Sequence, residues 1–167
     1  MVDQNTRLEY AFGFTQDDLH ANQKGRLADN QVEVLQAQQQ IFIPLLIEVG
    51  FALFVIIVVS CAWMEKNLKN YLSAGILAVA VIGAFGLIAK KFIDYQKDIK
   101  QAKVECVCGD IGLDIIASRF SAHYALELGS YRFQLRSKEQ LFAFENGGHY
   151  CIYYAPNSQH ILAAEAQ

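Results

Sequence analysis

The sequence lacks the short motifs that mark the common catalytic chemistries. It has no phosphate-binding glycine loop, no dinucleotide-binding glycine fingerprint, no His-Glu-x-x-His zinc motif and no Ser-His-Asp arrangement. The dispersed acids Asp110 and Asp114 are expected to be solvated rather than catalytic. We therefore predict that the protein is not an enzyme and that it carries no cofactor.

A basic cluster is also missing. The chain holds 14 Lys and Arg against 17 Asp and Glu, which gives a formal net charge of -3. Proteins that bind nucleic acid neutralise its phosphates with concentrated positive charge. We therefore expect no nucleic-acid partner.

Cysteine is sparse, with four residues in the chain. Cys61 lies in an apolar run and leaves an odd number in the C-terminal part, which argues against a disulfide framework. Cys106, Cys108 and Cys151 resemble a zinc-ligand set only loosely, because structural zinc sites usually space cysteine pairs by two to four residues. Cysteines two positions apart on a strand share a face and serve equally well as small core side chains. We expect free, buried thiols and no metal.

Two long apolar stretches are the main feature that is present. Residues 41–64 contain one charged side chain and residues 71–89 contain none. A bilayer core about 30 Å thick needs roughly 20 apolar residues in a helix, and both stretches reach that length. The sequence predicts a transmembrane helical hairpin that contacts the lipid bilayer. The preceding residues 1–40 are polar and show no secretory signal, so we expect an uncleaved anchor.

The flanking charges predict the orientation of the hairpin. Lys and Arg concentrate on the cytoplasmic side of membrane helices. The turn between the helices holds two lysines, whereas the side shared by the two termini holds Lys24, Arg26, Lys90, Lys91, Lys97, Lys100 and Lys103. We predict an integral protein of the inner or plasma membrane with both termini in the cytoplasm, a reducing side with which free cysteines are compatible.

A helix-start signal lies before the hairpin. Thr15 and Asp18 have the spacing of a capping box, and Gly25 can end the helix in the left-handed conformation. The whole segment, residues 14–31, fits the pattern T-x-x-D-L-x-x-N-x-x-G-x-L-x-x-x-Q. In this pattern the chain resembles small uncharacterised bacterial membrane proteins with two membrane helices and a β-rich tail that ends in a Tyr-Tyr-x-Pro-x-Ser stretch, matched by residues 153–158. The resemblance implies no activity or catalytic residue, and the same residues also fit a simple capped helix.

The C-terminal part changes to the period of two that is typical of strands. We predict five or six short antiparallel strands, a two-residue hairpin at Gly129-Ser130 and a short helix capped by Ser137. Closure into a small SH3-like or OB-like barrel removes exposed sheet edges. The predicted fold class is α+β, a two-helix transmembrane hairpin with a small antiparallel β-barrel-like soluble domain. Its parts are a helical segment at 1–40, the hairpin at 41–89 (helices 41–64 and 71–89), a helical connector at 90–101 and the β domain at 102–167.

Two candidate sites lie in the hairpin. Glu48 is the one charged residue within the two predicted membrane spans, and intramembrane carboxylates are costly unless they are paired or protonated. Glu48 is therefore a candidate for ion or proton handling, with structural pairing as the alternative. Gly75, Gly83 and Gly86 let helix backbones approach closely in lipid, which indicates helix packing, although such residues are also ordinary in membrane helices.

Aromatic residues are abundant in the tail. Alternation places Tyr153 on the opposite face from Tyr154, and tyrosine is enriched in interface hot spots. We take Tyr153 and Tyr154 as a candidate interaction surface, with core packing or headgroup contact as the alternative. The predicted function is a membrane-anchored non-enzymatic scaffold or accessory subunit that presents a cytoplasmic β domain to a protein partner or a second copy. The alternative is an oligomeric transporter or channel subunit that uses Glu48.

Overall fold

A computed structural model describes the backbone of residues 3–62, 68–117 and 122–167, and the side chains of residues 3–59, 75–115 and 123–167. The protein is an α+β chain with two long apolar helices and a five-stranded antiparallel sheet. Its residues form two compact units. The first comprises residues 1–33 and 100–167, and the second comprises residues 34–99.

The second unit is helical. The helix α3 spans Asp29–Gln40 and continues from the first unit, α4 spans Phe42–Ala62 and α5 spans Leu68–Gln101. Both α4 and α5 contain stretches long and apolar enough to cross a membrane, and none of the residues in those stretches is buried. The helix α5 runs unbroken through the second apolar stretch to Gln101.

The N-terminal part of the first unit contains two short helices, α1 (Gln4–Phe12) and α2 (Gln16–Gln23). The predicted capping box is confirmed. The Thr15 amide donates to Asp18 Oδ2 at 2.8 Å, and the Asp18 amide donates to Thr15 Oγ1 at 3.3 Å. Gly25 has a φ of +72°, which is the left-handed conformation expected after the helix.

The sheet has the strand order β3-β2-β1-β4-β5. Its strands are β1 (Glu105–Ala117), β2 (Ala122–Leu128), β3 (Tyr131–Leu135), β4 (His149–Ala155) and β5 (His160–Ala166). The first half of β1 pairs with β4, and the second half pairs with β2. Only short strands were predicted, whereas β1 is one long strand of 13 residues with two different neighbours.

The two predicted turns of the β region are confirmed. Gly129 has a φ of +59° and joins β2 to β3 in a two-residue hairpin with Ser130. The Ser137 hydroxyl accepts from the Gln140 amide at 3.3 Å and caps α6 (Lys138–Phe142). Local sequence therefore determines both turns, through the backbone freedom of Gly129 and the hydroxyl of Ser137.

Strands β4 and β5 are buried on both faces. On one face Phe133 of β3 packs edge-on against Tyr154 of β4, with ring centroids 5.1 Å apart. At β5, the Asn5 side chain of α1 accepts from the Ala166 amide at 2.9 Å, and Gln31 donates to the Leu162 carbonyl at 3.3 Å. The N-terminal helices are thus part of the same packed unit as the sheet.

Candidate functional site: a three-cysteine cluster on the sheet

Three cysteines meet on one face of β1 and β4. Cys106 and Cys108 are two positions apart on β1 and therefore point to the same side of the sheet. The register places Cys106 opposite Tyr153 and Cys108 opposite Cys151. Cys108 and Cys151 form a disulfide, with their Cα atoms 4.0 Å apart. The expectation of free thiols is wrong for this pair, because antiparallel register brings together two cysteines that are 43 residues apart in the chain.

Cys106 is a free thiol next to that disulfide. Its Sγ lies 3.7 Å from Cys108 Sγ, and the three sulfurs all lie within 4.8 Å of one another. Cys106 and Cys108 are exposed, whereas Cys151 is buried. The expectation that Cys106 is a buried core thiol is wrong as well, because this part of the sheet face is open.

The surroundings of Cys106 favour its protonated form. Desolvation raises the pKa of the Cys106 thiol, and the negative charge of Glu165 on β5 raises it further. A hydrogen bond with Tyr153 lowers the pKa of the thiol, but its effect is smaller than that of desolvation. Burial likewise raises the pKa of the Tyr153 phenol to about 12. Cys106 is therefore a neutral thiol near pH 7, held between a neutral phenol and an acid.

The helix α2 contributes the outer edge of this cluster. Gln23 donates from Nε2 to Glu165 Oε2 at 3.2 Å, and the Tyr153 hydroxyl donates to the same oxygen at 3.4 Å. These bonds hold the Glu165 carboxylate on the cysteine face. Sequence reasoning missed Glu165, because its relation to Cys106 depends on the pairing of β4 with β5 and on no local motif.

The next residue pair along the same face is joined by a hydrogen bond. His149 Nδ1 lies 2.8 Å from Asp110 Oδ1, and the register places the two residues directly opposite each other, two positions from Cys108 and Cys151. Both side chains are largely exposed. Asp110 is thus paired with a histidine rather than only solvated.

The cluster supports two kinds of chemistry. A free thiol within 4 Å of a disulfide sulfur can take part in thiol–disulfide exchange, which proceeds by attack of a thiolate on a sulfur of the bond. Three cysteine sulfurs at this spacing can also ligate a thiophilic metal, but only after the Cys108–Cys151 bond is reduced, because metals bind thiolates. The disulfide in the structure therefore favours the first chemistry.

Tyr153 and Tyr154 are both buried, with exposed fractions of 7% and 4%. Tyr154 packs against Phe133 and Tyr131, and its hydroxyl donates to Glu105 at 3.3 Å. Tyr153 is covered on the opposite face, beside Glu165. Alternation gave the correct faces, but the burial of both side chains removes the exposure on which the proposed interaction surface depended.

The sites predicted in the apolar helices belong to the second unit, whereas the cysteines belong to the first. Glu48 is an exposed side chain on α4. At Gly75, Gly83 and Gly86 an added Cβ meets no atom of the described residues within 4 Å. Within the described part of one chain, no other residue packs closely against these three glycines.

The residues of the N-terminal pattern have structural roles. Asp18 accepts from Asn30 Nδ2 at 2.7 Å in addition to capping α2. Leu19, Asn22 and Gln31 are buried. The Asn22 side-chain amide has no hydrogen-bond partner among the described residues. The pattern therefore describes how a capped helix docks onto the sheet.

No family model, curated protein or solved structure matches this chain.

Proposed function

We propose that the protein is a membrane-anchored, non-enzymatic scaffold or accessory subunit. The observation that carries this proposal is the composition of the first unit, which combines the residues before the apolar helices with those after them. The Val104 amide donates to the Gly25 carbonyl at 3.1 Å, and the Leu27 amide donates to the Ala102 carbonyl at 3.2 Å. A hairpin that crosses a membrane twice places the residues before it and the residues after it on the same side. The first unit needs this arrangement, because it contains residues from both segments.

The charge asymmetry supports a cytoplasmic position for this unit. Seven basic residues flank the hairpin on the side of the termini, and two lie in the turn. The Cys108–Cys151 disulfide weighs against it, because stable disulfides are rare in reducing compartments. Cytosolic disulfides that do occur are usually transient or redox-sensing, and the free thiol beside this bond fits that class.

We further infer that the sheet closes toward a partly open barrel. The long strand β1 changes partner between Asp110 and Ile111, so that one half belongs with β4 and the other with β2. The aromatic contact between Phe133 and Tyr154 supports the folding of these two halves over a shared core. Such closure shields strand edges that otherwise invite pairing with other chains.

Two exposed aromatic side chains provide the contact surface in this proposal. Tyr10 on α1 is 87% exposed and Phe142 on α6 is 67% exposed. Their helices pack together, since Gln4 of α1 donates to the Ala143 carbonyl at 2.7 Å. Aromatic residues carry much of the binding energy at protein interfaces.

Affinity purification from native membranes tests the scaffold proposal. The full-length protein is compared with a Tyr10→Ser/Phe142→Ser variant and with Glu139→Ser, a matched change at an exposed non-aromatic position of α6. We expect a stoichiometric partner that the double variant loses and Glu139→Ser retains. A wild-type protein that purifies as a monomer without a stoichiometric partner contradicts the proposal.

The exposure of Glu48 favours one alternative function. A carboxylate on the outer surface of an apolar helix is costly in lipid unless another helix covers it. A homo-oligomer with Glu48 at its centre satisfies this requirement and is the arrangement of a transporter or channel subunit. Native mass measurement in detergent tests it: a defined oligomer that Glu48→Gln dissociates supports the alternative, and an unchanged monomer excludes it.

A further inference from the structure

We propose that Cys106, Cys108 and Cys151 form a thiol–disulfide exchange site in which Cys106 opens the Cys108–Cys151 bond. The geometry that carries the proposal is the 3.7 Å separation between Cys106 Sγ and Cys108 Sγ. A sulfur at that distance is in van der Waals contact with the sulfur it attacks. Because all three sulfurs lie within 4.8 Å of one another, the Cys106 side chain must turn to attack along the S–S axis. Both residues are exposed, so proton exchange with solvent is available to the attacking thiol.

The exchange takes place entirely between cysteines of one chain, and solvent only accepts and supplies protons. Cys106 gives its proton to solvent, and its thiolate attacks Cys108 Sγ. The Cys106–Cys108 bond forms, the Cys108–Cys151 bond breaks, and Cys151 leaves as a thiolate that takes up a proton. No external oxidant or reductant takes part, because one disulfide replaces another.

The product bond requires a local change in the backbone of β1. Residues two apart on a strand have Cα atoms about 6.6 Å apart at a rise of about 3.3 Å per residue. Disulfides usually span Cα distances of about 4.4–6.8 Å, so the new bond lies at the upper end of that range. A disulfide also needs Cβ atoms about 3.5–4.5 Å apart, which is closer than the Cβ atoms of same-face residues on an extended strand. Formation of the Cys106–Cys108 bond therefore requires β1 to bend locally at Val107.

The exchange changes what the disulfide connects. The bond between Cys108 and Cys151 ties β1 to β4, whereas the bond between Cys106 and Cys108 lies within β1. The second bond joins two exposed residues, so two external thiols of the glutathione class can reduce it and are themselves oxidised to a disulfide. On the cytoplasmic side, which rests on the proposed orientation, this makes the link between the strands responsive to the thiol pool.

Peptide mapping of the full-length protein tests the exchange. Trypsin cleaves after Lys103, Arg119 and Lys138, so Cys106 and Cys108 share the peptide of residues 104–119 while Cys151 lies in the peptide of residues 139–167. The oxidised protein, carrying Cys61→Ser, is incubated in detergent at pH 8, quenched with acid, denatured and alkylated, then digested without reduction. The Cys108–Cys151 bond links the two peptides, whereas the Cys106–Cys108 bond leaves them as separate peptides.

We expect two populations. One is the linked pair with Cys106 alkylated, and the other is the separate peptides, with an internal disulfide in residues 104–119 and an alkylated Cys151. The matched variant Cys106→Ser loses the second population. Separate peptides that are no more abundant than in Cys106→Ser overturn the proposal, and so does a reduced protein that binds one Zn²⁺ per chain through Cys106 while no exchanged peptide forms. Neither result depends on the orientation of the hairpin, so failure here is distinguishable from failure of the proposed function.

Discussion

Reduction of the Cys108–Cys151 bond is expected to destabilise the first unit without unfolding it. The disulfide joins residues 43 apart in sequence. For a loop of that size the chain-entropy expression gives about 4 kcal/mol of stabilisation at 25 °C, and measured values for disulfides commonly lie at about 2–4 kcal/mol. Backbone pairing between β1 and β4 persists after reduction, because five of its six residue pairs are distinct from the bonded pair Cys108 and Cys151.

Native-state hydrogen exchange measures this loss directly. We expect protection of the slowest amides in β1 and β4 to fall by about 30-fold to 1,000-fold on reduction, since about 1.4 kcal/mol corresponds to a factor of ten. The protein should carry Cys61→Ser and Cys106→Ser, so that the two bonded cysteines are its only thiols after reduction. A fall of less than about threefold would refute the assignment of this bond as a structural tie between the two strands.

The remaining predictions concern single positions. Gly148→Ala should lower stability by about 1–3 kcal/mol in thermal unfolding, because an added Cβ would lie 2.6 Å from the Tyr150 ring; an unchanged midpoint would show that the ring shifts freely. Asn22→Leu should raise stability by about 1 kcal/mol, because it removes a buried amide with no partner among the described residues; a loss of stability would mean that the amide is satisfied. The alkylation rate of Cys106 should rise about tenfold per pH unit from about pH 7 to 8.5, because its pKa is raised and only the thiolate reacts. Glu165→Gln should make alkylation faster at fixed pH, since it removes a charge that raises that pKa; an equal or slower rate would contradict this electrostatic account.

Structural features that depend on a few adjacent residues were predictable from the sequence. The capping box at Thr15, the hairpin at Gly129 and the Ser137 cap each depend on one or two side chains and the backbone beside them. The apolar helices were predictable for a similar reason, because length and composition alone define them. Within the predicted helical segment at 1–40, α1 was not located individually, because its N-cap Asp3 makes no side-chain capping bond and its one buried residue is Leu8. Tertiary packing rather than local sequence stabilises such a helix.

The candidate site was predictable only in part. The spacing of Cys106 and Cys108 correctly placed both on one face of a strand. The sequence did not show that β4 pairs with β1 at the cysteines, because the register that places Cys108 opposite Cys151 is set by contacts across the whole sheet. The same limit applies to Tyr153, whose face followed from alternation but whose burial depends on α2 and β5.

Topology mapping tests the central claim, that one soluble unit is assembled from both flanks of a membrane hairpin. The full-length chain is expressed in bacterial cells with a reporter fused in turn to its N-terminus and its C-terminus, using a fluorescent protein that is active inside the cell and alkaline phosphatase that is active outside it. The account predicts a carbonate-resistant membrane protein whose two ends both report the cytoplasm. Ends that report opposite sides, or a protein that carbonate releases from the membrane, would contradict it.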